Sequence, residues 1–193
     1  MNKLGYVGAL FPKSTLILIV RDIYSHSASM KYHFEKLHQA DGRTYFMEDN
    51  PEACYSQSYG EVPEGKPSFP GNFSIIPELW IRMNTLAFKE LNDASFHQKI
   101  VVSYEDLVAN QRGTLLALFD ALNLRQAHHR VACEIAEKAT VLVNTTTKGN
   151  PLEKWKSQLS KDEVGAIDLA LSKHTKDYAF INDSLQQLKI RPE

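Results

Sequence analysis

Two cysteines, Cys54 and Cys133, are all the thiols in 193 residues, too few and too far apart to read as a disulfide framework or a metal site. Free thiols in a reducing compartment are the default, and with them a cytoplasmic location. Charge of neither sign dominates: the formal net charge is −1, so bulk charge suggests no nucleic-acid partner. Long apolar runs are missing too. None approaches the ~20 residues of a membrane span, and Met1-Asn2-Lys3-Leu4-Gly5-Tyr6 has no convincing signal-peptide core. Repeats, low-complexity tracts and clear linkers are absent, which favours a single domain over residues 1–193. The histidines form no metal cluster. His33 and His38, five apart, do not share a helical face, and adjacent His128 and His129 point in different directions. Sequons at Asn72, Asn144 and Asn182 read as chance matches rather than as a secretory history.

What is present is an ordinary globular composition, 43% hydrophobic and 23% charged, on a chain long enough to bury one core. It excludes neither an enzyme nor a binding module. The most informative stretch is Leu16-Ile17-Leu18-Ile19-Val20-Arg21-Asp22, with Ser29 eight residues after Arg21. A short run of branched apolar residues predicts a strand buried on both faces, as in a parallel sheet. Arg21 stands at its end, Asp22 can cap the helix that follows, and Ser29 falls about two turns into that helix. A guanidinium at a strand's end, a helix N-terminus and a hydroxyl can converge on one anion. The bland alternative is an Arg21 paired with a surface carboxylate and a Ser29 facing water.

Two further stretches extend the pattern. Lys99-Ile100-Val101-Val102-Ser103-Tyr104-Glu105-Asp106-Leu107 predicts a second buried strand, over residues 99–104, running into a turn. A compact apolar helix follows over Thr114–Leu122, closed by Asn123. Near the C-terminus come Thr147-Lys148-Gly149 and then Trp155-Lys156, ahead of Ser160-Lys161-Asp162-Glu163. The last four residues form a capping box, with Leu159 and Val164 placed as its hydrophobic staple.

Taken in order, these stretches resemble the sulfotransferase family, whose nucleotide-binding Arg and Ser have the same separation. Met30-Lys31-Tyr32-His33-Phe34 is similar to a Tyr-His-Phe segment seen in many cytosolic members, and the family has a strand ending in Tyr-Glu-Asp-Leu. Many members also carry Arg-Lys-Gly ahead of Trp-Lys; here Thr147 replaces that Arg. The resemblance implies an α/β fold, a phosphate-loop-type parallel sheet flanked by helices. It implies 3′-phosphoadenosine 5′-phosphosulfate (PAPS) as sulfuryl donor and a hydroxyl or amine on a small molecule or carbohydrate as acceptor. Arg21 and Ser29 would hold the 3′-phosphate, Tyr104 would contact the nucleotide, and Lys148 and Gly149 would complete the site. Glycine lets the backbone approach a phosphate, and the lysine adds a mobile charge. Glu105 and Asp106 fit capping or structural ion pairs better than catalysis, and Trp155 fits packing better than a substrate contact. His33 fits a polar-face histidine.

The family's phosphate loop of the Pro-Lys-Ser-Gly-Thr type has no counterpart here. Pro12-Lys13-Ser14-Thr15 precedes a strand and lacks the glycine, whereas such a loop must follow a strand and open a helix. The family's usual catalytic His or Glu also lies upstream of the Arg-bearing strand, so no residue inherits that role. The sheet is therefore expected to be incomplete at its N-terminal strand and loop. An open edge at Leu16–Val20 or Ile100–Ser103 would invite self-association.

Residues 40–73 read as one long irregular region rich in glycine and proline, with Tyr45, Phe46, Tyr55, Tyr59 and Phe69 interleaved; within it Thr44-Tyr45-Phe46-Met47 is a third, poorer strand candidate. Those aromatics could line an acceptor pocket or pin the loop to the core. Ile75, Ile76, Leu79, Trp80, Met83, Leu86, Ala87 and Leu91 then recur at helical spacing, a core stripe. A glycine, an aromatic and a Trp-bearing helix in succession resemble sulfotransferases acting on sugars. Two other classes stay open: a non-catalytic module binding the 3′-phosphoadenosine nucleotide, and an unrelated α/β nucleotide-binding protein.

Overall fold

A computed structural model describes residues 3–50, 55–124, 130–131, 133–134 and 150–191. Helix α1 (Leu4–Leu10) leads through a turn into strand β1 (Thr15–Val20), and α2 (Ile23–Asp41) follows at once. Three short strands come next: β2 (Thr44–Phe46), β3 (Ser56–Ser58) and β4 (Ser68–Phe69). Helix α3 (Ile75–Asp93) leads to β5 (Gln98–Ser103), α4 (Tyr104–Ala109) and α5 (Gln111–Ala121). The C-terminal part carries α6 (Trp155–Gln158), α7 (Lys161–Lys173) and α8 (Thr175–Leu188).

The two strands expected from apolar runs, β1 and β5, pair with each other in parallel, from Thr15 against Gln98 to Val20 against Ser103. Side chains alternate between faces along each strand. One face puts Leu16, Leu18, Val20 and Val101 against a core shared with Ile23 and Ala28 of α2 and with Trp80, Ile81, Phe88 and Leu91 of α3. Ile167 of α7 and Ile181 of α8 close that core. Burying such a side chain contributes about 1.5–3 kcal/mol. The architecture is thus mixed helix and strand, a small parallel sheet flanked by helices.

On the opposite face the expectation of complete burial fails for β1. Ile100 and Val102 are buried, but their register partners Ile17 and Ile19 are 39% and 57% exposed. The edges differ as well. Beyond β5, the Ile190 N–H donates to the Val101 carbonyl at 3.0 Å, so the segment after α8 lies along that edge. Among the described residues, β1 pairs with β5 alone.

Residues 40–73, expected to be irregular, contain a small antiparallel sheet in the order β3-β2-β4. Its aromatics mostly pin it to the core. Tyr45 stacks on Phe34 of α2 at 3.7 Å between ring centres, and Phe69 is buried in the same cluster with Ile75, Ile76 and Leu79. Tyr55 and Tyr59 remain exposed. The chain turns into this sheet at Gly42, which ends α2 with φ of 75°, a left-handed conformation that glycine adopts without steric cost.

The capping box at Ser160 is present: Glu163 N–H donates to Ser160 Oγ, and Ser160 N–H donates to the Glu163 carboxylate. Glu163 also pairs with Lys31 of α2 at 2.7 Å, tying α7 to the helix that carries Ser29. No described helix is long and apolar enough to cross a membrane.

Candidate functional site

Helix α2 starts where it does because of Asp22, whose Oδ1 accepts the Ser25 N–H at 2.9 Å. Four residues separate Ser25 from Ser29, so both hydroxyls share one face of the helix. The parallel register brings the ends of β1 and β5 level, Val20 beside Ser103. The next residue on each chain is then Arg21 or Tyr104, and the Arg21 guanidinium lies over the Tyr104 ring, 4.6 Å from its centre. Tyr104 itself opens α4 rather than ending β5, because Ser103 turns the chain by capping that helix at the Asp106 N–H.

Arg21, Ser25, Ser29 and Tyr104 line one mainly polar cavity of about 80 Å³, bounded by Trp155 and Gln158 of α6. Arg21, Ser29 and Tyr104, all expected from sequence, are therefore brought together. Lys148 and Gly149, with Thr147, lie outside the described residues. Trp155 does what the sequence suggests, packing against Tyr24 at 4.8 Å, and also forms part of the cavity wall. His33 is exposed and lies outside this lining, a polar-face histidine.

Sequence reasoning missed Ser25. Its side chain is 2% exposed, lines the cavity, and its Oγ has no hydrogen-bond partner; the Arg21 Nε is likewise buried and unpartnered. Native interiors rarely leave such groups unpaired, so two around one cavity point to an acceptor that completes them. The sequence signal lies in spacing alone: Ser25 is four residues from both Arg21 and Ser29.

A second cavity, about 190 Å³, also touches Arg21 and lies at the carboxyl ends of β1 and β5. Trp80, Tyr178, Ile181 and Leu185 give it apolar walls, and Asp22 and Glu105 bring carboxyl groups. Open parallel sheets commonly take ligands at these strand ends. Glu105 bridges the two strand ends, accepting the Asp22 N–H at 3.0 Å and the Ser103 hydroxyl at 3.1 Å. Burial, with the neighbouring Asp22 carboxyl adding to it, pushes the Glu105 carboxyl above the usual carboxylate range. Asp106 makes the ion pair its sequence position suggests, with Lys189 at 2.7 Å.

His26 follows Ser25 and is largely buried. Burial and, second, the Arg21 charge hold its pKa down to about 4, so the ring is neutral at physiological pH. Pro12-Lys13-Ser14 forms only the turn before β1, with the Ser14 hydroxyl donating to the Phe11 carbonyl. Among the described residues no group of histidine, cysteine and carboxylate side chains could hold a metal ion.

Comparison of the chain with protein-family models, with curated proteins and with solved structures finds no match.

Proposed function

We propose that this protein binds a 3′-phosphoadenosine nucleotide, with the 3′-phosphate held between Arg21, Ser25 and Ser29 and the Tyr104 ring beside it. The observation that carries the reading is the convergence on one polar cavity of residues from two strand ends and one helix, two of them with buried unpartnered groups. A phosphate fits that set. Its oxygens accept only, while a guanidinium and two hydroxyls donate. The cavity has room for a phosphate and not for a nucleoside, so the adenosine would lie across its rim near Tyr32 and Trp155.

In the resemblance to sulfotransferases, PAPS would supply the sulfuryl group. The bond from sulfur to the bridging oxygen of the 5′-phosphate breaks, a bond to an acceptor oxygen or nitrogen forms, and the acceptor loses a proton. This chain's residues would anchor the nucleotide and fix its direction, which is where positioning contributes to such transfers. The acceptor class proposed is a hydroxyl or amine on a small molecule or carbohydrate.

A second reading, a non-catalytic nucleotide-binding module, is favoured by one observation. Neither parallel strand runs into a glycine-containing phosphate loop: β1 is followed by Arg21-Asp22 and β5 by Tyr104-Glu105. Removing a single oxyanion donor slows acyl transfer by ~10²–10³-fold, so a protein working without such a cradle would show little turnover.

Calorimetric titration with adenosine 3′,5′-bisphosphate tests binding. Charge-assisted hydrogen bonds contribute about 1.5–3 kcal/mol each, so Arg21→Ala should weaken it tenfold or more, and equal affinity of the two proteins removes the assignment. Radiolabelled PAPS then separates the readings: a sulfated acceptor recovered in quantity means an enzyme, and tight binding without transfer means a module.

A further inference from the structure

A cavity of about 240 Å³, three times the volume of the phosphate-sized one of about 80 Å³, lies between α3 and the junction of α7 with α8. The two share no lining residue. On α3 the larger cavity is lined by Arg82, Thr85, Leu86 and Lys89, the spacing that puts residues on one helical face. Met47, His174 and Asp177 stand opposite.

Thr85 is the telling residue. It is only 8% exposed, and its hydroxyl has no hydrogen-bond partner. A threonine within a helix commonly satisfies that hydroxyl on the carbonyl one turn back; here it does not, and the residue is one of those that line the cavity.

Charge then selects the ligand. Arg82 and Lys89 stand one turn on either side of Thr85. Arg82 uses one nitrogen on the Glu48 carbonyl at 2.8 Å, which leaves the rest of its donor fork without a carboxylate partner. Lys89 makes no ion pair among the described residues. Of the two acidic lining residues, Glu78 is matched by Lys173 at 2.8 Å, while Asp177 has only the His174 ring beside it at 3.7 Å. Arg82 and Lys89 outnumber Asp177, so the net charge at the cavity is positive, and Met47, Ile81 and Leu86 give it an apolar wall.

We infer that this cavity binds a small amphipathic anion, an apolar body carrying one carboxylate or sulfate that accepts from Arg82, Thr85 and Lys89. The inference stands independently of the nucleotide reading.

Three probes test it by amide NMR titration of the whole chain: hexyl sulfate, hexanoate and the uncharged hexanol. Saturable shifts are expected for Arg82, Thr85, Leu86 and Lys89 with either anion, and binding of hexanol about tenfold weaker or worse, as loss of a charge-assisted contact requires. Lys89→Gln, on an exposed side chain, should weaken the anions by about two- to fivefold, and Thr85→Val should weaken them without disturbing the fold. Arg21→Ala should leave the titration unchanged, which keeps this site apart from the nucleotide site. Preference for sulfate over carboxylate, or the reverse, identifies the head group. Hexanol binding as tightly as the anions, unsaturable shifts spread over the surface, or no change in Lys89→Gln and Thr85→Val together would overturn the proposal.

Discussion

The indole N–H of Trp80 donates to the main-chain carbonyl of Arg21 at 2.9 Å. This one bond ties the middle of α3 to the residue between β1 and α2 that lines both strand-end cavities. Trp80 is 4% exposed, so the donor is held away from bulk solvent.

Trp80→Phe keeps an aromatic body but removes the donor. A buried acceptor left unpaired costs about 1–3 kcal/mol, and the smaller ring adds a cavity cost. A lower urea midpoint is expected, together with weaker binding of adenosine 3′,5′-bisphosphate measured where the variant is still folded. Unchanged stability and unchanged affinity would mean that the bond positions nothing.

Ser25→Ala separates function from architecture. A hydroxyl without a partner does not stabilise the fold, and alanine favours a helix over serine by roughly half a kcal/mol. Stability should therefore hold or rise, while nucleotide affinity falls by about tenfold or more for one lost hydrogen bond to a charged phosphate oxygen. Thermal unfolding and calorimetry on the same samples check both. A destabilised variant with intact affinity would assign the hydroxyl to the fold.

How much of the fold and site is legible in the sequence depends on whether the cause is local. The Asp22 cap, the depth of Ser29 in its helix and the Ser160 box follow from spacing within one turn or two, and all are present in the structure. So is the α3 stripe, since a 3.6 period survives any tertiary context. The second apolar run extends the expected strand to Tyr104, because such runs show where a strand exists better than where it stops; the Ser103 cap sets the boundary. Of the short strands only β2 shows in the sequence, as the poor candidate Thr44-Tyr45-Phe46-Met47; β3 and β4, of three and two residues, carry no period and have the sequence pattern of a loop. Ser25 becomes visible only once the structure shows that nothing pairs with it.

The buried ring of His26 predicts a pH dependence. Its pKa is about 4 in the folded protein and near 6.5 when unfolded. Between those values the unfolded chain binds the extra proton, so stability is full above pH 6.5 and is lost as pH falls toward 4. The total is on the order of 3 kcal/mol, at about 1.36 kcal/mol for each pH unit that separates the two values. Urea unfolding at pH 7 and pH 5 should show a larger loss for the wild type than for His26→Gln. Glu105, raised by burial, pulls the other way, because its contribution is full at low pH and lost as pH rises through its folded pKa. The comparison with His26→Gln cancels that contribution, and identical pH slopes for the two proteins would refute the assignment.

The edge of β1 supplies the last prediction. Along that strand no described residue pairs on the side away from β5, and Ile17 and Ile19 leave one face apolar and exposed. Unpaired backbone donors and acceptors beside exposed branched side chains form a template for another strand. Two copies related by a two-fold axis perpendicular to the strand pair β1 with β1 in antiparallel fashion, because that axis reverses the strand direction. Such pairing would join the two small sheets into one and cover Ile19 at the junction. The chain is therefore expected to self-associate with rising concentration, and β1 amides should gain protection from hydrogen exchange as it does. Ile19→Lys places a charge on the exposed face without touching the core side, where Leu18 and Val20 pack, so it should give a folded monomer. Light scattering that finds the wild type monomeric at every concentration, with β1 amides exchanging freely, would show that the edge does not pair. Association that persists unchanged in Ile19→Lys would place the contact elsewhere on the surface.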